Sequence, residues 1–168
     1  HGVLFRGGEE RTCRKKFIDG GVLEAVIGLP PSLFYGTGIP AAVLVLNKAG
    51  AGQRDRVLFI NADREYREGK NQNSLRPEDI EKISYVYLNH LAVDGYAREV
   101  PYADLAAEDY NLNIRRYVDN SPPPEPHDVR AHLNGGVPVS EIEALSGYFA
   151  NYHSVRKRLF APKADGYN

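Results

Sequence analysis

The sequence contains no methionine and no tryptophan, and its one cysteine is Cys13. A single thiol excludes an internal disulfide and any zinc or iron–sulfur centre built on several cysteines, and it suits a reducing cytoplasm. No apolar run reaches the roughly 18 residues that a membrane helix needs, and there is no secretory leader pattern. Net charge is also missing: 21 basic against 22 acidic side chains leave −1. Attraction to a polyanion must therefore come from a local patch and not from the whole chain. His127 and His132 are not spaced to share a helical face, and no carboxylate or cysteine set joins them, so no metal site is expected. The Gly7–Gly8 pair precedes a helix, but no Gly-Lys-Ser/Thr follows, which argues against a nucleotide P-loop.

What is present is ordinary globular composition, 42% hydrophobic and 26% charged, enough to bury a core. The organising stretch is Leu23 to Lys48, LEAVIGLPPSLFYGTGIPAAVLVLNK. Leu23–Leu29 and Ala41–Leu46 are short apolar runs rich in Val, Ile and Leu, the pattern of strands buried on both faces. Between them Pro30, Pro31, Gly36, Gly38 and Pro40 forbid a helix and force a loop. Its middle, Leu33-Phe34-Tyr35-Gly36-Thr37-Gly38, sets two adjacent aromatics before glycines that allow close backbone approach. Two readings follow from these residues: a platform on which a planar ligand stacks, or a cover over the end of a sheet.

Upstream, Gly2–Phe5 reads as the tail of a strand. Glu9–Asp19 reads as a helix, with Glu9 and Glu10 in the first turn, Arg14, Lys15 and Lys16 toward its end, and Gly20–Gly21 as the stop. Cys13, Phe17 and Ile18 share a face, making Cys13 a small core residue. Strand, helix, strand then suggests a parallel βαβ step, and the helix-free loop suggests antiparallel pairing of the next strand. The fold class is α/β. Val57–Ile60 reads as a further strand and Glu68–Ser74 as polar loop. Pro77-Glu78-Asp79 opens a helix with stripe Ile80, Ile83, Tyr87 and Leu91. Arg76 stands where a capping Ser or Thr usually lies, so Ser74 caps one step early or the cap is weak. Ala97–Val100 reads as a short edge strand, Ala103–Glu108 as a short helix, and Asp109–Val118 as extended. Asn111 and Asn113 there read as turn residues, while Arg115 and Arg116 could reach an anionic ligand.

GVLFRGG at Gly2–Gly8, the basic helix, Glu24–Lys48, VLFINA at Val57–Ala62, GKNQNSL at Gly69–Leu75 and DYNLNIRRYVD at Asp109–Asp119 together resemble, in order, the later part of the modification subunit of type I restriction-modification systems. These are S-adenosylmethionine-dependent DNA adenine methyltransferases. The resemblance implies the C-terminal part of a Rossmann-like methyltransferase sheet ending on its antiparallel strand. It also implies that 1–119 is the later part of the catalytic domain; the prolines of 120–127 read as a linker, and 128–168 reads as a helical extension, where the resemblance weakens.

Phe34, Tyr35, Gly36, Thr37 and Gly38 would then line one wall of the pocket for a flipped adenine, with Arg6, Arg14, Lys15, Arg115 and Arg116 as weaker candidates for DNA-backbone contacts. No catalytic or cofactor residue is assigned. The glycine-rich cofactor loop and the Asn/Asp-Pro-Pro-aromatic motif are expected upstream of His1, so this piece alone should be inactive. Ser121-Pro122-Pro123 imitates that motif, but Pro124 stands where the aromatic belongs. The implied partners are DNA and the specificity and restriction subunits of a type I complex, in the cytoplasm and without a membrane. The alternative is a non-catalytic module that docks a specificity subunit. In the extension, Asp128 caps a helix to about Leu133, and Ser140 with Glu143 forms a capping box for a helix bearing Ile142, Leu145 and Phe149. That extension, with basic Arg156, Lys157 and Arg158, docks either on its own domain or on a partner.

Overall fold

The computed structural model describes residues 2–122, 128–152, 154–163 and 166–168. Residues 123–127, which include most of the Pro-rich linker and His127, lie outside the described residues, as does His1. The chain divides into two compact units, residues 1–122 and 123–168.

In the first unit, α1 (Glu9–Asp19) precedes β1 (Leu23–Gly28), β2 (Ala42–Leu46) and β3 (Arg56–Asn61). Then follow α2 (Pro77–Leu88), β4 (Ala97–Pro101) and α3 (Tyr102–Ala107). The four strands form one sheet in the order β2-β1-β3-β4. The central pair β1 and β3 is parallel, and β2 and β4 flank it antiparallel. The antiparallel pairing of β1 with β2 is as the helix-free loop requires.

The expected strand at Gly2–Phe5 is a 3-10 turn, Gly2–Leu4, and among the described residues the parallel partner of β1 is β3. Leu4 is nonetheless fully buried. Two glycines end α1 as expected. Gly20 is its C-cap, Gly21 takes a left-handed φ of 64°, and the amides of Gly21 and Val22 donate to the Ile18 and Phe17 carbonyls at 2.9 and 2.8 Å. These are the paired bonds of a Schellman stop.

Side chains of a strand alternate between the two faces of a sheet. Val57 and Phe59 of β3 therefore join Leu4, Ile18, Leu105 and Leu112 in one core, while Leu58 and Ile60 join Ala25, Val86 and Tyr96 in the other. β1 breaks this parity, because a bulge between Leu23 and Ala25 lets both Leu23 and Val26 face the first core. The extra residue, Glu24, pairs with Arg54 at 3.3 Å. Arg54 also donates to the carbonyls of Gly21, Asn47 and Ala49, clamping the amino-terminal end of the sheet.

Only β1 and β3 are buried on both faces. β2 is half exposed because it is an edge strand, correcting the reading of both apolar runs as interior. Cys13 is exposed rather than core, and the buried positions of α1 are Arg14 and Ile18. On α2 Asp79 and Val86 are buried, and Ile83 and Tyr87, with Leu91 just beyond the helix, pack against the second core as expected, whereas Ile80 faces solvent. Neither Ser74 nor a weak cap explains the start of α2. The Asp79 carboxylate accepts from the Arg76 backbone amide at 2.8 Å, and the Arg76 guanidinium donates back to it at 2.7 and 3.0 Å.

Asp109–Val118 is not extended. Asp109 and Tyr110 are left-handed at φ 55° and 57°, and Ile114–Arg116 is a 3-10 turn. Asn111 does act as a turn residue, its side chain accepting from the Asn113 amide at 2.9 Å.

The second unit contains α4 (Val129–Asn134), α5 (Val139–Ala144), α6 (Ser146–Asn151) and α7 (Val155–Leu159). Asp128 caps α4, accepting from the Arg130 and Ala131 amides at 2.8 and 3.0 Å. The expected single helix with a Ser140–Glu143 box is two short helices broken at Leu145. Pro138 starts the first of them, which leaves Ser140 already inside its first turn without a capping role.

Candidate functional site

Both parallel strands end at the same side of the sheet, β1 at Gly28 and β3 at Asn61. The carboxyl ends of parallel strands are where open α/β sheets place ligands. A cavity of about 330 Å³ opens there, lined by Gly28 at the end of β1, Leu29, Pro40 and Ala41 from the loop stems, Asn61 at the end of β3, Asp63 after it, and Asn113, Ile114 and Arg115. Its floor is fixed. Asn61 is buried and donates to the Val118 carbonyl at 3.0 Å, and a Cβ on Gly28 would lie 2.8 Å from Ile114 Cδ1.

The loop between β1 and β2 forms the rim. Its base is closed where the Leu29 amide donates to the Ala41 carbonyl at 3.0 Å. Its first half is rooted, with Pro30 buried and residues 31–33 half buried. Its second half, residues 34–39, is exposed, and the two aromatics stand far out, Phe34 at 62% and Tyr35 at 82% of their full accessibility. They do not cover the end of the sheet. Gly36 needs its freedom, with φ 75°, whereas a Cβ on Gly38 would meet only Ser32 Oγ at 3.9 Å. The Thr37 hydroxyl accepts from the Ile39 amide at 3.1 Å, which leaves its own proton available to a ligand.

The cations divide sharply. Arg14 is only 3% exposed; its guanidinium donates to the Val3 and Tyr110 carbonyls at 2.7 Å each, and burial pulls its pKa down. It ties the amino-terminal turn to α1 and cannot reach a phosphate, so neither a DNA contact nor a solvated helix face describes it. Lys15 is shared between Asp19 at 2.6 Å and the Tyr110 hydroxyl at 2.8 Å, and these bonds raise its pKa. Arg116 is paired with Glu108. Arg115 alone lies on the cavity, exposed, and paired with Asp63 at 2.8 Å. Arg6 is exposed and forms no ion pair among the described residues. The structure thus brings Arg115 together with the aromatic loop stems and separates Arg14 and Lys15 from them.

Sequence reasoning missed Asn61, Asp63 and Asn113 as cavity residues. The signal was available for the first two, because they follow directly on the apolar run of β3, where a strand's carboxyl end was expected. It also left GKNQNSL without a role, although this segment packs against the rim loop: Asn73 donates to the Pro31 carbonyl at 2.9 Å.

A family model described as N-6 DNA Methylase matches residues 1–125. The chain is 44% identical, over 132 residues, to the type I restriction enzyme MjaVIII methylase subunit of Methanocaldococcus jannaschii, covering 76% of this chain and 22% of that one. It is 33% identical to the type I restriction enzyme MpnII methylase subunit of Mycoplasma pneumoniae, covering 77% and 24%. Among solved structures, the type I restriction-modification methyltransferase subunit from Streptococcus thermophilus superposes with a TM-score of 0.67 at 42% identity, covering 72% of this chain and 25% of that one. The chain therefore spans under a quarter of the length of these two curated relatives.

Proposed function

The chain belongs to the N-6 DNA methylase family, and from that premise we propose that it forms one wall of the pocket in which a type I methyltransferase subunit holds an adenine flipped out of duplex DNA. One observation carries this reading: Phe34 and Tyr35 stand exposed at the tip of a loop whose root is fixed, beside the cavity at the carboxyl ends of β1 and β3. Leaving two large aromatics in water forgoes substantial hydrophobic stabilisation in the free chain, and stacking on a planar base recovers it.

The chemistry needs such a wall. The exocyclic nitrogen of adenine is a weak nucleophile because its lone pair is delocalised into the ring. Holding the base still in a productive orientation does much of the catalytic work. Phe34 or Tyr35 supplies the stacking face, worth about 1–3 kcal/mol per base. The Gly36 backbone approaches closely, and the Thr37 hydroxyl proton is free to hydrogen-bond the base or its sugar. Arg115, held by Asp63 at the cavity, is the first candidate for a phosphate contact, and exposed Arg6 is a second.

In this reading S-adenosylmethionine supplies the methyl group. The described residues do not fit it. β1 runs into Pro30 and Pro31 and β3 into Asp63 and Arg64, and neither turn is the glycine-rich crossover that cradles such a cofactor. DNA as substrate, work in the cytoplasm and assembly with specificity and restriction subunits complete the proposal. Leu133, Tyr148, Tyr152 and Leu159 of the second unit are exposed and are the candidates for contacts in subunit docking.

The test is methylation of DNA by a full-length subunit carrying this chain, with its partner subunits. Phe34→Ala and Tyr35→Ala should lower the single-turnover rate, the stacking residue by about tenfold to a hundredfold. Wild-type rates in both variants would remove the adenine wall from the reading.

A further inference from the structure

We infer that Gln72 and Asn73 are positioning residues for the aromatic rim, holding Phe34 at the angle at which it meets its planar ligand; the inference rests on the reading of this rim as the adenine wall. Three successive backbone carbonyls lie immediately before Phe34, those of Pro31, Ser32 and Leu33. Each accepts one hydrogen bond, from either Gln72 or Asn73. Gln72 Nε2 donates to Leu33, the Asn73 amide to Ser32 at 2.8 Å, and Asn73 Nδ2 to Pro31 at 2.9 Å. Beyond Leu33 the rim has little to orient it. The Ile39 to Thr37 contact is internal to the tip, and the Leu29–Ala41 bond only closes the base.

The backbone between these anchors is bent against preference. Ser32 has a left-handed φ of 56°, which a non-glycine residue holds only where its surroundings fix it. The brace is itself braced. The Gly69 amide donates to Asn73 Oδ1 at 3.3 Å, and the turn is so tight that a Cβ on Gly69 would lie 2.1 Å from the Gln72 carbonyl oxygen. Asn73 thus uses both ends of its amide, accepting from its own loop and donating to the rim. Carboxylates cannot donate, so Gln72→Glu and Asn73→Asp remove the two side-chain bonds to the rim while the latter keeps the acceptor for Gly69.

Two measurements test the assignment. In this chain, chymotrypsin should nick after Phe34 or Tyr35 about tenfold faster in the Gln72→Glu/Asn73→Asp variant, because two hydrogen bonds no longer oppose opening of the rim. In the full-length subunit, the same variant should lose about tenfold in kcat with KM for DNA within about twofold, and 2-aminopurine at the target position should emit more brightly, as for the aromatic variants. In the same Asn73→Asp background, Gln72→Lys in place of Gln72→Glu restores one donor to the rim and should return kcat and emission part of the way to wild type, which separates lost positioning from lost folding.

Wild-type nicking and wild-type kcat in the double variant, with Phe34→Ala or Tyr35→Ala still impaired, would overturn the positioning role and leave the adenine wall standing. Wild-type methylation in both aromatic variants would overturn the reading beneath it, and faster nicking would then show a brace on a rim of other purpose.

Discussion

Gly21 shows how one residue without a side chain can fix a junction. Its φ of 64° completes the stop of α1, and a Cβ there would lie 1.8 Å from the Ala51 carbonyl oxygen, a backbone atom that cannot swing aside. Both strain and overlap oppose any substitution. Gly21→Ala should destabilise the chain by about 2 kcal/mol or more, read as a lower urea midpoint at unchanged slope. Gly52→Ala, where a Cβ meets nothing within 4 Å, is the control and should stay within about 0.5 kcal/mol. Arg14 makes the complementary point at the same scale. In the sequence it is one cation of a basic run. In the fold it is a buried double donor, because the left-handed turn at Asp109–Tyr110 brings the Tyr110 carbonyl to its guanidinium.

Among elements, α2 carries a testable charge. Asp79 is buried in its first turn, and hydrogen bonds from Arg76 hold its carboxyl below the usual carboxylate range against the upward push of burial. A pKa depressed by folding means that the unfolded chain takes up the proton first as pH falls. This contribution is therefore whole above about pH 4 and is lost as pH drops through the lowered folded value. Urea midpoints measured across that window should fall more steeply in the wild-type chain than in Asp79→Asn. Equal slopes would mean that the acid sensitivity arises elsewhere.

Elements are also where the sequence is most and least legible. The glycine stop of α1, the strand pair around the aromatic loop, the edge strand at Ala97 and the Asp128 cap all follow from local chemistry, and they are found where that chemistry puts them. The start of α2 does not. Its capping carboxylate is at the third helical position, and the residue before the helix is an arginine that no capping preference would choose. Periodicity also fails where the backbone changes phase. The bulge at Glu24 puts Leu23 and Val26 on one face, and the left-handed pair at Asp109 turns an apparently extended segment back on itself. At the site, the aromatics and Gly36 were visible from composition and turn logic. The brace was not, because its bonds run to carbonyls some forty positions away, and carbonyls leave no mark on a sequence.

At the scale of the molecule, the first unit separates two tasks along its strands. The amino-terminal ends of β1 and β3 are clamped by Arg54, the Glu24 pair and the Gly21–Ala51 contact. The carboxyl-terminal ends open onto the cavity and the rim. A rigid sheet thus presents a loop whose root is held and whose tip is offered to solvent. This suits a surface that must meet a base without collapsing onto itself.

The other open side of that sheet has a different consequence. β2 reads Ala-Val-Leu-Val-Leu, with no proline and no charge among its five residues, and its outer row of amides and carbonyls has no strand beside it among the described residues. Such an edge is a template for further strands, and proteins that leave an edge free usually blunt it with lysine or proline. For this chain in isolation the result is colloidal. Its oligomer fraction in light scattering should grow with concentration and storage, and Val43→Lys, at an exposed β2 position, should suppress that growth while changing the unfolding free energy by no more than about 0.5 kcal/mol. Shelf life and solubility would then be decided by five apolar residues far in function from the aromatic rim, and one lysine would be enough to preserve the stock.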